Sequence, residues 1–177
     1  MIRTLAVVGA TTLLLATSAP VFAQPAPPPG APGVSTRDFV TSAAQSDEFE
    51  RREGHMAQTM ARSHRVQAFG AMMVRDHTKS TQDLQGALRR AGRPVPPPPP
   101  LTTDQMGMLD QLRHAGPGFD GVYLQQQVQA HQQALGLLQG YARGGDNPIL
   151  RDAARQTIPM VRHHLMMAQD LQATVRR

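Results

Sequence analysis

From residue 35 to residue 175 apolar side chains recur at steps of three and four, without strand-like alternation, so an all-helical chain is predicted. The capping sequence Ser35-Thr36-Arg37-Asp38 opens a first long helix, expected to reach about Arg62, with Phe39, Ala43, Ser46, Glu50, Gly54 and Ala57 on one stripe. Ser63 can cap a second, whose stripe is Val66, Gly70, Met73, His77, Leu84, Leu88 and Ala91 before Gly92 and Pro94 stop it. Thr102 with Gln105 starts a short helix ending near His114, and Gly116-Pro117-Gly118 breaks the chain. A third long helix carries Leu124, Val128, His131, Leu135 and Leu138 and ends at Gly144-Gly145. Asn147 as cap and Pro148 at the first helical position open the fourth, with Leu150, Ala154, Thr157, Val161, His164, Ala168, Leu171 and Val175 facing one way.

Four helices of about 25–30 residues with one apolar stripe apiece predict a four-helix bundle, each rod about 40 Å long. The first and third connections are short, so the helices pair as two antiparallel hairpins. The crossover, 93–117, contains Arg93-Pro94-Val95, five prolines ending at Pro100 and the short helix, and it must run the length of the bundle. This order is ferritin-like. Polyproline advances about 3.1 Å per residue, which suits a stiff strap between helices; recognition by a polyproline-binding domain is the competing reading.

Outside the bundle, residues 1–23 have the order of a secretory signal peptide. Arg3 supplies the positive region, TLAVVGATTLLLA the short apolar region, and Val21-Phe22-Ala23 the cleavage site before Gln24. Residues 24–34 read as a Pro/Gly-rich disordered linker, and 35–176 as the bundle domain. An exported protein is expected, periplasmic or associated with the outer envelope, with no transmembrane segment after cleavage. The absence of cysteine from all 177 residues excludes disulfides, thiolate metal sites and a cysteine nucleophile. The formal charge is +5, yet the arginines are scattered, Lys79 is the only lysine and aromatics make up 4%, so no nucleic-acid partner is expected. Weak association with anionic envelope surfaces is what the charge allows.

Each stripe carries one polar residue where an apolar one is expected: Glu50, His77, His131 and His164. All four stand near the midpoints of their helices, so antiparallel packing brings them to one level. Three imidazoles and a carboxylate suit a divalent transition metal, Zn, Fe or Mn. A metal-free buried network, in which the carboxylate and the histidines bond to one another, accounts equally for the pattern. Asp76 points away from the stripe and reads as a surface acid or as a partner to a ligand.

Redox di-iron chemistry is a poor fit. Such bundles need carboxylates from all four helices. Here every Glu lies within Glu48, Glu50 and Glu53, and Val74 and Val161 stand three residues before His77 and His164. No Gly-x-Ser-x-Gly elbow or phosphate loop is present, so an enzyme is not expected. The 10 methionines, with Met56 and Met60 near His55 and His64 and the run His163-His164-Leu165-Met166-Met167, raise a copper reading. Core filling explains them more simply. The glutamines from Gln125 to Gln133 read as the solvated side of the third long helix.

The segments FVTSAAQ with Glu50 and Gly54, FGAMMVRDHTKS around His77, GFDGVYLQQQVQAH ending in His131, and TIPMVRHHLMMA around His164 resemble one family over about 37–175. It is the bacterial exported domain of unknown function numbered 4142, grouped with ferritin-like folds. The resemblance implies an all-helical bundle in the cell envelope, often labelled an outer-membrane protein, without an assigned activity. The chain departs from that pattern at His163, where an acidic or polar residue is usual, and in the prolines from 96 to 100. The functional expectation is an exported helical bundle that binds a divalent metal at its mid-bundle Glu/His layer, or a structural bundle whose polar centre only fixes helix register.

Export with cleavage has a direct test. Intact-mass analysis of the protein recovered outside the inner membrane is expected to show a chain beginning at Gln24. A retained leader in the inner membrane contradicts it.

Overall fold

The computed structural model describes residues 34–175; the expected signal peptide and all of the expected linker except Val34 lie outside the described residues. Five α-helices follow in order, α1 Thr36–Met60, α2 His64–Arg90, α3 Thr103–Arg113, α4 Phe119–Gly144 and α5 Pro148–Val175, with a 3₁₀ turn at Gly116–Gly118. Three helix starts follow the local chemistry of the sequence, whereas Ser63, expected to cap α2, makes no side-chain cap bond. Ser35 Oγ accepts from the Asp38 amide at 3.1 Å, Thr102 and Gln105 form a reciprocal capping box, and Asn147 Oδ1 accepts from the Ile149 and Leu150 amides. Among the described residues no helix is long and apolar enough to cross a membrane.

The long helices pair as α1 with α2 and α4 with α5, and the hairpins join through α1 on α4 and α2 on α5. Cross-helix contacts give the directions. Phe39 stacks on Tyr141 with ring centroids 4.0 Å apart, while further along α1 Glu50 meets Gln127, so α1 and α4 run antiparallel. Residues 93–102 carry the chain without regular structure from the end of α2 to α3, which packs on α1 and α4. Gln45 Nε2 donates to the Pro100 carbonyl at 2.9 Å and ties this crossover to α1.

Two locks set the ends. Both carboxylate oxygens of Asp120 accept at 2.9 Å from the Arg62 and Ser63 amides, so α4 closes the α1–α2 turn. At the opposite end Tyr141 and Thr36 hydroxyls donate to Asp146. The apolar core is divided. One half gathers Phe69, Met73, Leu112, Phe119, Tyr123 and Leu124, the other Phe39, Leu88, Leu138, Tyr141, Leu150 and Val161. Glu50, His77, His131 and His164, all buried, lie between them.

The α1–α2 crossing depends on missing side chains. A Cβ on Gly54 would stand 2.7 Å from the Gly70 carbonyl oxygen, and one on Gly70 would stand 2.7 Å from the Ala57 Cβ and 2.8 Å from the Gly54 carbonyl oxygen. The nearest of these neighbours are backbone carbonyl oxygens and a Cβ, which cannot turn aside. Gly54→Ala is therefore expected to destabilise the bundle by about 1–3 kcal/mol. Gly107→Ala, on α3 with nothing within 4 Å, is expected to be neutral or stabilising. Thermal melts of the two variants check this; equal melting temperatures contradict the close crossing.

Candidate metal centre

His77 on α2, His131 on α4 and His164 on α5 are 3%, 0% and 1% exposed and meet at mid-bundle. Their ring centroids are 5.6 Å apart for His77–His131, 5.6 Å for His77–His164 and 5.4 Å for His131–His164. One nitrogen from each ring lies within 4.8 Å of the other two. Nitrogens bound tetrahedrally at 2.0–2.1 Å stand about 3.4 Å apart, so the rings need move inward by only about an ångström to hold one ion.

Each ring is oriented by a bond to its outward nitrogen. His77 Nδ1 donates to Asp47 Oδ1 at 2.9 Å, and Thr81 Oγ1 donates to the other Asp47 oxygen at 3.0 Å. His131 Nδ1 donates to the Gln127 backbone carbonyl at 2.8 Å. His164 Nε2 donates to Asp76 Oδ2 at 3.0 Å, and Asp76 also accepts from Arg75 Nε at 2.7 Å. Carboxylates and carbonyls only accept, so in the neutral ring each outward nitrogen carries the hydrogen and each inward nitrogen carries a lone pair. The inward atoms, His77 Nε2, His131 Nε2 and His164 Nδ1, have no hydrogen-bond partner. Three acceptors facing one point cannot satisfy one another; a cation can satisfy all three.

Glu50 is fully buried at the same level, but its contacts lead elsewhere. Gln127 Nε2 donates to Glu50 Oε2 at 2.6 Å and to Glu53 Oε2 at 2.7 Å. Glu50 Oε1 lies 3.5 Å from His131 Nδ1, the outward nitrogen, so the carboxylate stands behind the ring. Burial, and then the negative charge of Glu50, push the Glu53 carboxyl well above its usual range, against the bond from Gln127.

The imidazoles respond differently to this environment. Burial, then the neighbouring His131 and His77, push His164 down to about 4 against the pull of Asp76. Burial likewise lowers His131 despite Glu50. For His77 burial pulls down, yet the Asp47 bond and the charges of Glu50, Asp47 and Asp76 raise it overall. Neutral imidazole is the ligand form, so His164 and His131 are prepared to coordinate at neutral pH.

Of the four residues expected at this level, three histidines share a point and Glu50 supports one of them from behind. Asp76 is the partner of a ring nitrogen, one of its two expected roles. Asp47, Glu53 and Gln127 also belong to the layer, although the apolar stripes did not include them. The expectation that Gln126 and Gln127 are solvated is corrected: they are 4% and 0% exposed, because Gln126 faces α3 and Gln127 faces the Glu50 and Glu53 carboxyls of α1. Gln126 Nε2 donates to the Met108 carbonyl and to Gln111. His55, His64 and His163 are on the surface, as are Met60 and Met166, while Met73 is fully buried as core.

A family model described as Domain of unknown function (DUF4142) matches residues 20–171. No curated protein matches the chain significantly. Among solved structures, "CopM in the Cu(II)-bound form" superposes with a TM-score of 0.68 at 15% identity, covering 80% of this chain and 98% of that one. At that identity the likeness is one of fold, and it agrees with the all-helical bundle.

The histidine environment generates a stability window. Folding favours neutral His164, ordinarily near 6.5 and here about 4, so below pH 6.5 the unfolded chain takes a proton that the folded chain refuses. Stability is expected to fall on acidification from about pH 6.5 to 4, with His164 alone contributing about 3 kcal/mol and His131 acting in the same direction. His77 opposes them: its contribution is complete below pH 6.5 and is lost as pH rises through its elevated value. Chemical denaturation of chelator-treated protein at pH 7 and pH 4.5 measures the difference. The slope should be much reduced in His164→Leu; an unchanged slope contradicts the assignment.

Proposed function

The chain belongs to the family described as Domain of unknown function (DUF4142), and we propose that it binds one transition-metal dication through His77 Nε2, His131 Nε2 and His164 Nδ1. The supporting observation is the set of three buried lone pairs facing one point, each on a ring pinned from behind. Without an ion each orphaned acceptor costs about 1–3 kcal/mol, which makes a metal-free network the less favourable arrangement. An all-imidazole set suits Zn or Cu, and then Fe, better than Mn, which prefers carboxylates. The Cu(II) named for the fold neighbour keeps copper among the candidates alongside Zn and Fe.

Glu50 belongs to this site as a charge held behind His131, and with Asp47 and Asp76 it offsets the dication. Should Glu50 turn inward, it would fill a fourth position. The role is binding rather than catalysis, because ligand rings 0–3% exposed leave little access for a reacting molecule. The charged, apolar and small-residue order of residues 1–23 supports export, so the protein would hold its metal in the cell envelope. No nucleic-acid partner is proposed.

Titration of untagged, chelator-treated protein with Zn(II) and Cu(II), read by calorimetry and elemental analysis, tests this reading. One equivalent is expected, with melting raised by binding; 100-fold excess over Kd stabilises by about 2.7 kcal/mol. Replacing His77, His131 and His164 together with Leu should preserve helicity and weaken binding by more than about 100-fold. Equal binding by the wild type and this variant contradicts the site and favours the structural reading.

A further inference from the structure

The three partners that orient the rings differ in access. The Asp47 side chain is 8% exposed and Gln127 is fully buried, whereas the Asp76 side chain is 21% exposed. Asp76 also accepts from Arg75, whose side chain is 72% exposed, so solvent, Arg75, Asp76 and His164 form one continuous line to the shared point. Arg75 and Asp76 are on α2 and His164 is on α5, and these helices pack together far less extensively than either does with its hairpin partner. Further along the same seam, beyond Asp76 and His164, lies a cleft of about 570 Å³ lined by Lys79, Ser80 and Asp83 on α2 and by Thr157 and Met160 on α5. Ser80 and Met160 are one helical turn from His77 and His164.

We propose that the α2–α5 seam is the route by which the ion reaches and leaves the three histidines, with Asp76 as the anion that first meets it. The inference rests on the metal reading above. His77 is backed by a carboxylate sealed inside the bundle, and His131 by a backbone carbonyl that has no side-chain freedom. Only the His164–Asp76 pair borders water, so only there can a ring bond be exchanged for solvent without opening the core. An arriving dication competes with Arg75 for Asp76 and, once bound there, lies one imidazole from the site. Asp76 is thus a positioning residue for His164 and an electrostatic gate for exchange, while Asp47 positions His77 without meeting the incoming ion.

Stopped-flow uptake of Zn(II) by the chelator-treated full chain, followed with a chelating dye, separates these roles. Asp76→Asn keeps an acceptor for His164 Nε2 but removes the charge, and its association rate is expected to fall about tenfold with weaker dependence on salt. Asp47→Asn should associate at the wild-type rate and release zinc faster. Arg75→Ala, a change to a largely exposed side chain that leaves the fold untouched, should speed association by removing the competitor. Wild-type association in both Asp76→Asn and Arg75→Ala overturns the route, as does equal slowing by Asp47→Asn. A wild-type chain that takes up no zinc contradicts the metal site itself, a result distinct from uptake that ignores Asp76.

Discussion

Three imidazole lone pairs facing one another in a buried interior are the constraint around which the middle of this bundle is arranged. Such atoms repel when empty and have no donor among themselves, so the surrounding structure must hold them there. It does so from behind. Two aspartates and one backbone carbonyl take the outward nitrogens, and those three bonds determine which nitrogen of each ring faces inward. Two rings present Nε2 and the third Nδ1. This mixed set follows from the partners, since Asp47 and the Gln127 carbonyl take Nδ1 of their rings while Asp76 takes Nε2.

The rest of the fold makes that arrangement tolerable. Apolar clusters on either side of the layer carry the burial that stabilises the bundle, so the polar middle need not contribute. The long crossover sets α4 antiparallel to α1 and lets every helix midpoint share one level. The Asp120 and Asp146 locks hold the two ends, and the Gly54–Gly70 approach fixes the spacing of α1 and α2 near the layer. The Glu50–Gln127–Glu53 cluster adds negative charge beside His131, while burial and Glu50 together raise the Glu53 carboxyl above its usual range.

Much of this was legible in the sequence because helix geometry converts spacing into faces. The caps at Ser35, Thr102 and Asn147 are local chemistry and occur where the residues indicate. His77, His131 and His164 interrupt apolar stripes at helix midpoints, and antiparallel packing alone aligns midpoints. Asp47, Glu53 and Gln127 were not legible for a different reason. A stripe one residue wide describes a helix with one neighbour, but α1 and α4 are each covered from several sides, including by α3. The cover by α3 buries Gln126, and the α1–α4 contact buries Glu53 against Gln127, polar positions that look solvated when each helix is read alone. The signal was present in the spacing, since Asp47 and Glu53 flank Glu50 at three residues and Gln127 precedes His131 by four.

Imidazole nitrogen chemical shifts report directly which ring nitrogens carry hydrogen. Long-range proton–nitrogen correlation spectra of the metal-free protein at pH 8 should show His77 and His131 as Nδ1–H tautomers and His164 as Nε2–H. The inward nitrogens should all have the shift of a bare lone pair and should move together when one equivalent of Zn(II) is added. A hydrogen on His77 Nε2, His131 Nε2 or His164 Nδ1, or spectra indifferent to zinc, would mean that the rings satisfy one another and that the layer is a structural network without a metal.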